Sequence, residues 1–329
     1  MEVWEETPDY FDAFQDGFRM TKAQKKSLMQ QLKISPDDPY KHLQLLGYYS
    51  AHHKEETEQC LASKLWLVEN LPEEQSISVF TSCFDFESDE YRQIGEAWLA
   101  QVRSKASFNV VSNAASFFTL YEKEVAVQVL KQALSSSSED YSLLNQISDI
   151  YMLAGGHQSE TDARENYLLA LEYGERCYSN ATSEEHRFYA LTNIAQAALA
   201  ANETKRAEDA ANQLLASSKN FHDNWNFGNA VFDGNTILGK IRFIEGDIEA
   251  AGKYLIAASQ TPGSPQLDSF GPDFRLCAML IDKNQLQMAR EFLINCSKFW
   301  KSSKIKKWIT EIDAGIKPQV TTIRMPGKP

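Results

Sequence analysis

Glycine and proline are scarce in this chain, 15 and 10 of 329 residues, where average proteins carry roughly 12 % of the two together. A β-sandwich or barrel needs a turn signal about every 10 residues, so the shortage excludes a turn-rich all-β fold. Cysteine is equally sparse. The five residues Cys60, Cys83, Cys177, Cys277 and Cys296 include no CxxC pair, which argues against a disulfide framework or a structural zinc site. No apolar run approaches the roughly 18 residues that a membrane span requires. The start, Met1-Glu-Val-Trp-Glu-Glu, lacks a basic region followed by an apolar stretch, so no secretory leader is expected and the reduced cytoplasm is the expected compartment. Positive charge is also short: 33 Lys and Arg against 45 Asp and Glu leave a net charge of −12. Phosphate backbones are repelled by such a chain, and nucleic acid is not an expected partner. Glycine-rich phosphate loops and the GxSxG elbow are missing too, so the sequence points to no cofactor and no enzymatic activity.

What the sequence does contain is helix. Hydrophobic residues at 43 % and charged ones at 24 % are globular values, and a helical period runs from about Thr21 to Ile312. Helices are predicted near 21–34, 39–52, 55–70 and 88–105, with a less regular stretch at 72–87. Further along, a spacing recurs. A small residue on one helix is followed twelve positions later by Ala, then by Leu four on and Ala three on. Ala114, Ala126, Leu130 and Ala133 form one such set; Gly239, Ala251, Leu255 and Ala258 form another. Small residues let two antiparallel helices approach closely, and Leu fills the groove beside them. Glycine inside a helix costs about 1 kcal/mol relative to Ala, so Gly239 implies a contact with no room for a methyl. Glu245-Gly246-Asp247 supplies the turn, with Gly246 as C′ residue and Asp247 as N-cap.

These residues resemble the tetratricopeptide repeat, a 34-residue helix–turn–helix unit with small residues at its eighth, twentieth and twenty-seventh positions. Three further sets fit it: Ser148, Ala163, Tyr167 and Ala170; Ala195, Ala207, Ala211 and Leu214; and Cys277, Ala289, Leu293 and Cys296. Leu214 departs from the small residue of the pattern, and the intervals of 34, 47, 44 and 38 between successive sets depart from a strict repeat. The resemblance covers roughly residues 107–303, with a looser early match around Leu46-Gly47-Tyr48-Tyr49. The Asn235–Trp300 block is also similar to uncharacterised bacterial repeat proteins carrying a comparable Thr261-Pro-Gly-Ser-Pro-Gln266 stretch, read here as an extended link. The implied fold is all-α, a right-handed α-α superhelix. Residues 1–105 form an N-terminal helical region, 106–312 the repeats with a C-terminal capping helix, and 313–329 an extended tail.

The resemblance also implies a site. The first helix of each unit lines the concave groove, and its groove positions fall on Asn145, Gln146 and Asp149, then on Thr192, Asn193 and Gln196. Next come Thr236 and Lys240, with Asn226, Asn229 and Asp233 one or two turns earlier. Amides can bond both groups of a peptide backbone, so this stripe is expected to hold an extended peptide or a partner helix, with no catalysis. Asp149 and Asp233 favour neutral or basic ligands. Lys298, Lys301, Lys304, Lys306 and Lys307 accompany an amphipathic apolar side, Phe299, Trp300, Ile305, Trp308, Ile309 and Ile312, which suits a capping helix better than a membrane-surface contact. His52, Glu56 and Cys60 have helical ligand spacing without a recognised metal motif. Trp225, near Phe221 and Phe227, could border the Asn run. Two competing readings are a helical enzyme or small-ligand sensor, with its pocket between the N-terminal helices and the repeats, and a self-assembling structural subunit. The partner's identity and the oligomeric state are not encoded in any motif found.

Overall fold

A computed structural model describes residues 10–52, 58–75, 77–83, 85–105, 107–135, 140–156 and 160–320, the first three of the last stretch by backbone alone. The described residues form eighteen α-helices and no strand. They divide into two compact units, Met1–Ser138 and Glu139–Pro329. The division falls after the Ala114 helix pair, whereas the sequence reading placed a junction at 105/106.

The first unit holds α1 (Tyr10–Phe18), α2 (Lys22–Ile34), α3 (Pro39–Ala51), α4 (Glu58–Asn70), α5 (Ile77–Thr81), α6 (Asp89–Ser104), α7 (Phe108–Phe118) and α8 (Lys123–Leu134). Its starts follow local chemistry. Thr21 and Gln24 close a capping box before α2, and Ser88 and Ser107 cap α6 and α7, satisfying amides that have no partner inside a helix. Helix α1 lies outside the predicted set. It packs on α3, where Gly17 and Gly47 meet so closely that a Cβ on either would strike backbone. Trp98, Tyr48, Leu43 and Leu67 are among the large buried side chains here.

The second unit contains α9 (Tyr141–Gly155), α10 (Glu160–Asn180), α11 (Glu184–Ala200), α12 (Thr204–Ser218), α13 (Phe227–Ile244), α14 (Ile248–Ser259), α15 (Pro265–Phe270), α16 (Arg275–Asp282), α17 (Leu286–Phe299) and α18 (Ser303–Asp313). From α9 to α14 each helix packs on the next, and α11 also touches α9 and α13. The repeated small residues sit where the pairs cross: Ser148, Ala170, Ala195, Ala207, Ala211, Ala251, Ala258, Cys277, Ala289 and Cys296 are all buried. A Cβ at Gly239 would lie 2.6 Å from Leu276 and 3.1 Å from Tyr254, the crowding its position implied.

Three of the turns share one geometry. Asn202, Gly246 and Asn284 have φ of 62°, 88° and 65°, the left-handed region that glycine and asparagine tolerate best. Each turn closes with the same pair of bonds, for example Gly246 N–H to Phe243 C=O at 3.1 Å and Asp247 N–H to Arg242 C=O at 2.9 Å. This is the Schellman pattern, which satisfies the last carbonyls of the first helix. The three turn residues are 44 and 38 apart, as are the corresponding small residues in the sequence.

The end of this unit is closed by α18. Ile305, Trp308 and Ile312 are buried in one cluster with Phe274, Phe292 and Leu293, and Phe299, Trp300 and Ile309 pack at its border. Lys301, Lys304, Lys306 and Lys307 stay exposed. The chain then continues without helix, and Val320 returns to the same cluster. Burying this apolar side covers a face that a terminal helix pair would otherwise expose. All five cysteines are buried.

Candidate functional site

Helix α11 touches both α9 and α13, and the polar positions read from the sequence lie as a stripe on these three helices. At one end of it three residues bind one another. Asn145 donates to Asp149 at 2.9 Å within α9, and Asn193 on α11 donates to Asp149 at 2.8 Å and to Asn145 at 3.2 Å. Asp149 is an exposed residue whose two carboxylate oxygens are each taken by one of these amides. Burial pushes its carboxyl up to about 6, and the amides of Asn193 and Asn145 hold it from rising further. Gln146 is half-buried beside them, and Thr192 carries a buried hydroxyl with no hydrogen-bond partner among the described residues.

At the start of α13 the asparagines serve the fold. Asn229 donates to Asn226 at 2.9 Å and to Gln266 at 3.1 Å, and accepts from the Ser264 hydroxyl at 2.5 Å. Thr261 donates to the Gly228 carbonyl at 2.9 Å, and a Cβ on Gly228 would lie 1.8 Å from the Gly263 carbonyl. The Thr261–Gln266 segment therefore clips onto α13. It is also not wholly extended: Ser264 caps the short helix that begins at Pro265, since Pro is well placed in a first turn. Trp225, 52 % exposed, packs at a tilt on Tyr189, whose hydroxyl accepts from Asn224 at 2.9 Å.

The remaining stripe residues open a cavity. Gln196, Asp233, Thr236 and Lys240 line a space of about 420 Å³, with Asp273 and Arg275 on its border. Its apolar wall comes from Met152, Leu199, Ile237 and Met279, with the Tyr167 ring. Lys240 Nζ lies 2.8 Å from an oxygen of Asp273, and Arg275 binds both oxygens of that same carboxylate at 2.9 Å. Burial alone would raise Asp273, but the Arg275 and Lys240 cations outweigh it and hold the group far below the usual carboxylate range. Asp233 differs. It has no hydrogen bond or ion pair among the described residues, and burial, aided by the Asp273 charge and opposed by Lys240, pushes it up to about 7. Thr236, only 4 % exposed, has a hydroxyl with no partner among the described residues.

The structure thus brings Gln196, Asp233, Thr236 and Lys240 to one cavity, joins Asn145, Asp149 and Asn193 in one cluster, and ties Asn226 and Asn229 to the 261–266 segment. Asp273, Arg275, Tyr167 and the two methionines did not figure among the sequence candidates. Arg275 stands two residues before Cys277, as Gln146 does before Ser148 and Asn193 before Ala195, so the repeat spacing reaches it although it was not carried over, whereas Asp273 lies just before α16. For the His52, Glu56 and Cys60 set, Glu56 lies outside the described residues. His52 stacks on Tyr48 with centroids 4.2 Å apart, and Cys60 is buried. Among the described residues there is no group of three metal-ligating side chains and no helix long and apolar enough to cross a membrane. No protein-family model matches the chain, and comparison with curated proteins finds no match.

Proposed function

We propose that this chain is a tetratricopeptide-like helical repeat protein that holds a peptide or partner helix along the α9–α11–α13 stripe of its second unit, as an adaptor rather than an enzyme. The observation that carries this reading is the meeting of three expected groove positions, Gln196, Thr236 and Lys240, with Asp233 from one turn earlier, at one cavity of about 420 Å³. A volume in the range of about 300–1,000 Å³ accommodates side chains of a docked segment together with their hydration. Stripe amides would set the register of an extended backbone, and the cavity would take one anchoring side chain. The cytoplasmic setting inferred from the sequence suits such an adaptor.

The test is an affinity capture from the source lysate with wild type and the Asn193→Ala/Gln196→Ala double variant, after circular dichroism shows both folded. A partner that rebinds purified wild type, and binds the variant at least tenfold more weakly, supports the stripe. Equal affinity for both would remove it. The cavity also favours a second reading, a sensor for a small molecule, because its volume alone suffices for one. A thermal shift with a free metabolite fraction and none with peptides would select that reading.

A further inference from the structure

The cavity's charges are unequally engaged. Lys240 and Arg275 both turn to Asp273, so an anionic ligand would have to separate an ion-paired trio and face the Asp233 carboxylate as well. Asp233 has no such commitment. Thr236 lies three residues on along α13, on the same helical face, and its buried hydroxyl is unpartnered. Gln196 presents an amide from α11 to the same space. A carboxylate, a hydroxyl and an amide oxygen are three acceptors, and a primary ammonium has three N–H donors. Met152, Leu199, Ile237 and Met279 provide apolar walls for the methylenes behind such a head. The chain's net charge of −12 attracts a basic ligand at long range.

From this arrangement we infer that the cavity is a recognition subsite for a primary ammonium on an alkyl stem, supplied by a lysine side chain of the bound peptide. The inference rests on the stripe reading and names what its anchor pocket selects. Asp233 is the ionic partner, Thr236 and Gln196 complete the head-group contacts, and the Lys240–Asp273–Arg275 trio forms a fixed rim that leaves Asp233 as the open charge. The Thr236 hydroxyl, without a partner among the described residues, gains a donor when the ammonium arrives.

The probes are three seven-residue peptides, Ala₃-Lys-Ala₃, Ala₃-norleucine-Ala₃ and Ala₃-Glu-Ala₃, blocked at both ends, together with n-butylammonium. The readout is the methyl resonances of Met152 and Met279 in methionine-methyl-labelled full-length chain. The lysine peptide should shift both methyls saturably, and the norleucine and glutamate peptides should not. Asp233→Asn should weaken lysine-peptide binding by about tenfold to a hundredfold, the worth of a hydrogen bond to a charged group. Thr236→Val should weaken it by several-fold while melting no lower than wild type, because the lost hydroxyl has no internal partner. Equal binding of the lysine and norleucine peptides, tighter binding of the glutamate peptide, or undiminished binding by Asp233→Asn would each overturn the ammonium subsite. So would methyls that no probe moves. Butylammonium binding as tightly as the lysine peptide would keep the ammonium chemistry and overturn its peptide source. A partner captured equally by wild type and Asp233→Asn, but lost from the Asn193→Ala/Gln196→Ala variant, would overturn the subsite and leave the stripe standing.

Discussion

Each unit of this protein encloses charge, and the two do so differently. In the first, Lys64 on α4 meets Glu90 on α6 at 2.6 Å, with both side chains under a tenth exposed, and also donates to the Ser82 carbonyl at 3.0 Å. Burial alone would lower the Lys64 pKa, but Cys83 and Glu90 beside it raise it. The charge there fastens two helices and the loop between them. In the second, half-buried Asp233 lines a cavity and makes no hydrogen bond or ion pair among the described residues. A buried charge that is matched inside the chain serves the fold, whereas one held open at cost to the folded state is available to a ligand.

The largest effect expected from this contrast is on the matched pair. Lys64→Met removes the cation facing a buried carboxylate and should cost about 3–5 kcal/mol, read from urea unfolding; a loss under about 1 kcal/mol would show that the pair holds nothing together. Next is Ala251→Leu, which forces extra volume into a fully buried crossing and should cost about 1–3 kcal/mol, with an unchanged melting temperature counting against the α13–α14 pairing. Asn202→Ala places a Cβ-bearing residue at φ 62° without the local bonding that asparagine offers, and should cost about 1 kcal/mol. Asn202→Gly should be neutral or slightly stabilising.

The last effect has the opposite sign and works through pH. Asp233 is raised from 3.8 to about 7 in the folded chain, so between those values the native state holds a proton that the unfolded state has lost. Stability from this group therefore falls as pH rises from about 4 to about 7. The charged and titratable groups around it are Asp273, Lys240, Arg275 and Tyr167. Asp233→Asn should consequently be more stable than wild type at pH 8 and equal to it near pH 4, measured by thermal melts across pH. Asp149, raised to about 6, leaves a residual slope of the same sign. A variant less stable at pH 8 would mean that the carboxylate is matched after all, and the contrast between the units would vanish.

Much of the helix pairing was legible in advance because close crossings leave a local trace. Only small residues fit where backbones meet, and Gly239, Ala251 and Cys277 register that constraint at fixed offsets. The turns were partly legible: Gly246 announced itself, whereas Asn202 and Asn284 take the same backbone conformation without looking like stop signals. Helix α1 was missed because its Tyr10-to-Phe18 pattern is short and its decisive contact, Gly17 against Gly47, joins segments thirty residues apart. The stripe residues were legible as polar positions, but their allegiance was not. Asn226 and Asn229 look like free amides until Ser264 and Gln266 arrive from beyond α14. Asp233 and Asp273 look alike in sequence, and only the placement of Arg275 and Lys240 separates the bound carboxylate from the open one.

The docking of α18 gives the second unit an optical handle on its own end. Trp308 is 4 % exposed against the Phe274 ring, 5.1 Å away between centroids, while Trp98 is wholly enclosed in the first unit. When stacked helices are held chiefly by their neighbours, fraying begins where a neighbour is missing. The indole at the cap is therefore placed to redden its emission when the end loosens, and the indole at 98 to stay blue until its own unit opens. With the other four tryptophans changed to phenylalanine, the wavelength at which each remaining ring emits becomes a clock for the order in which the parts of this molecule come undone.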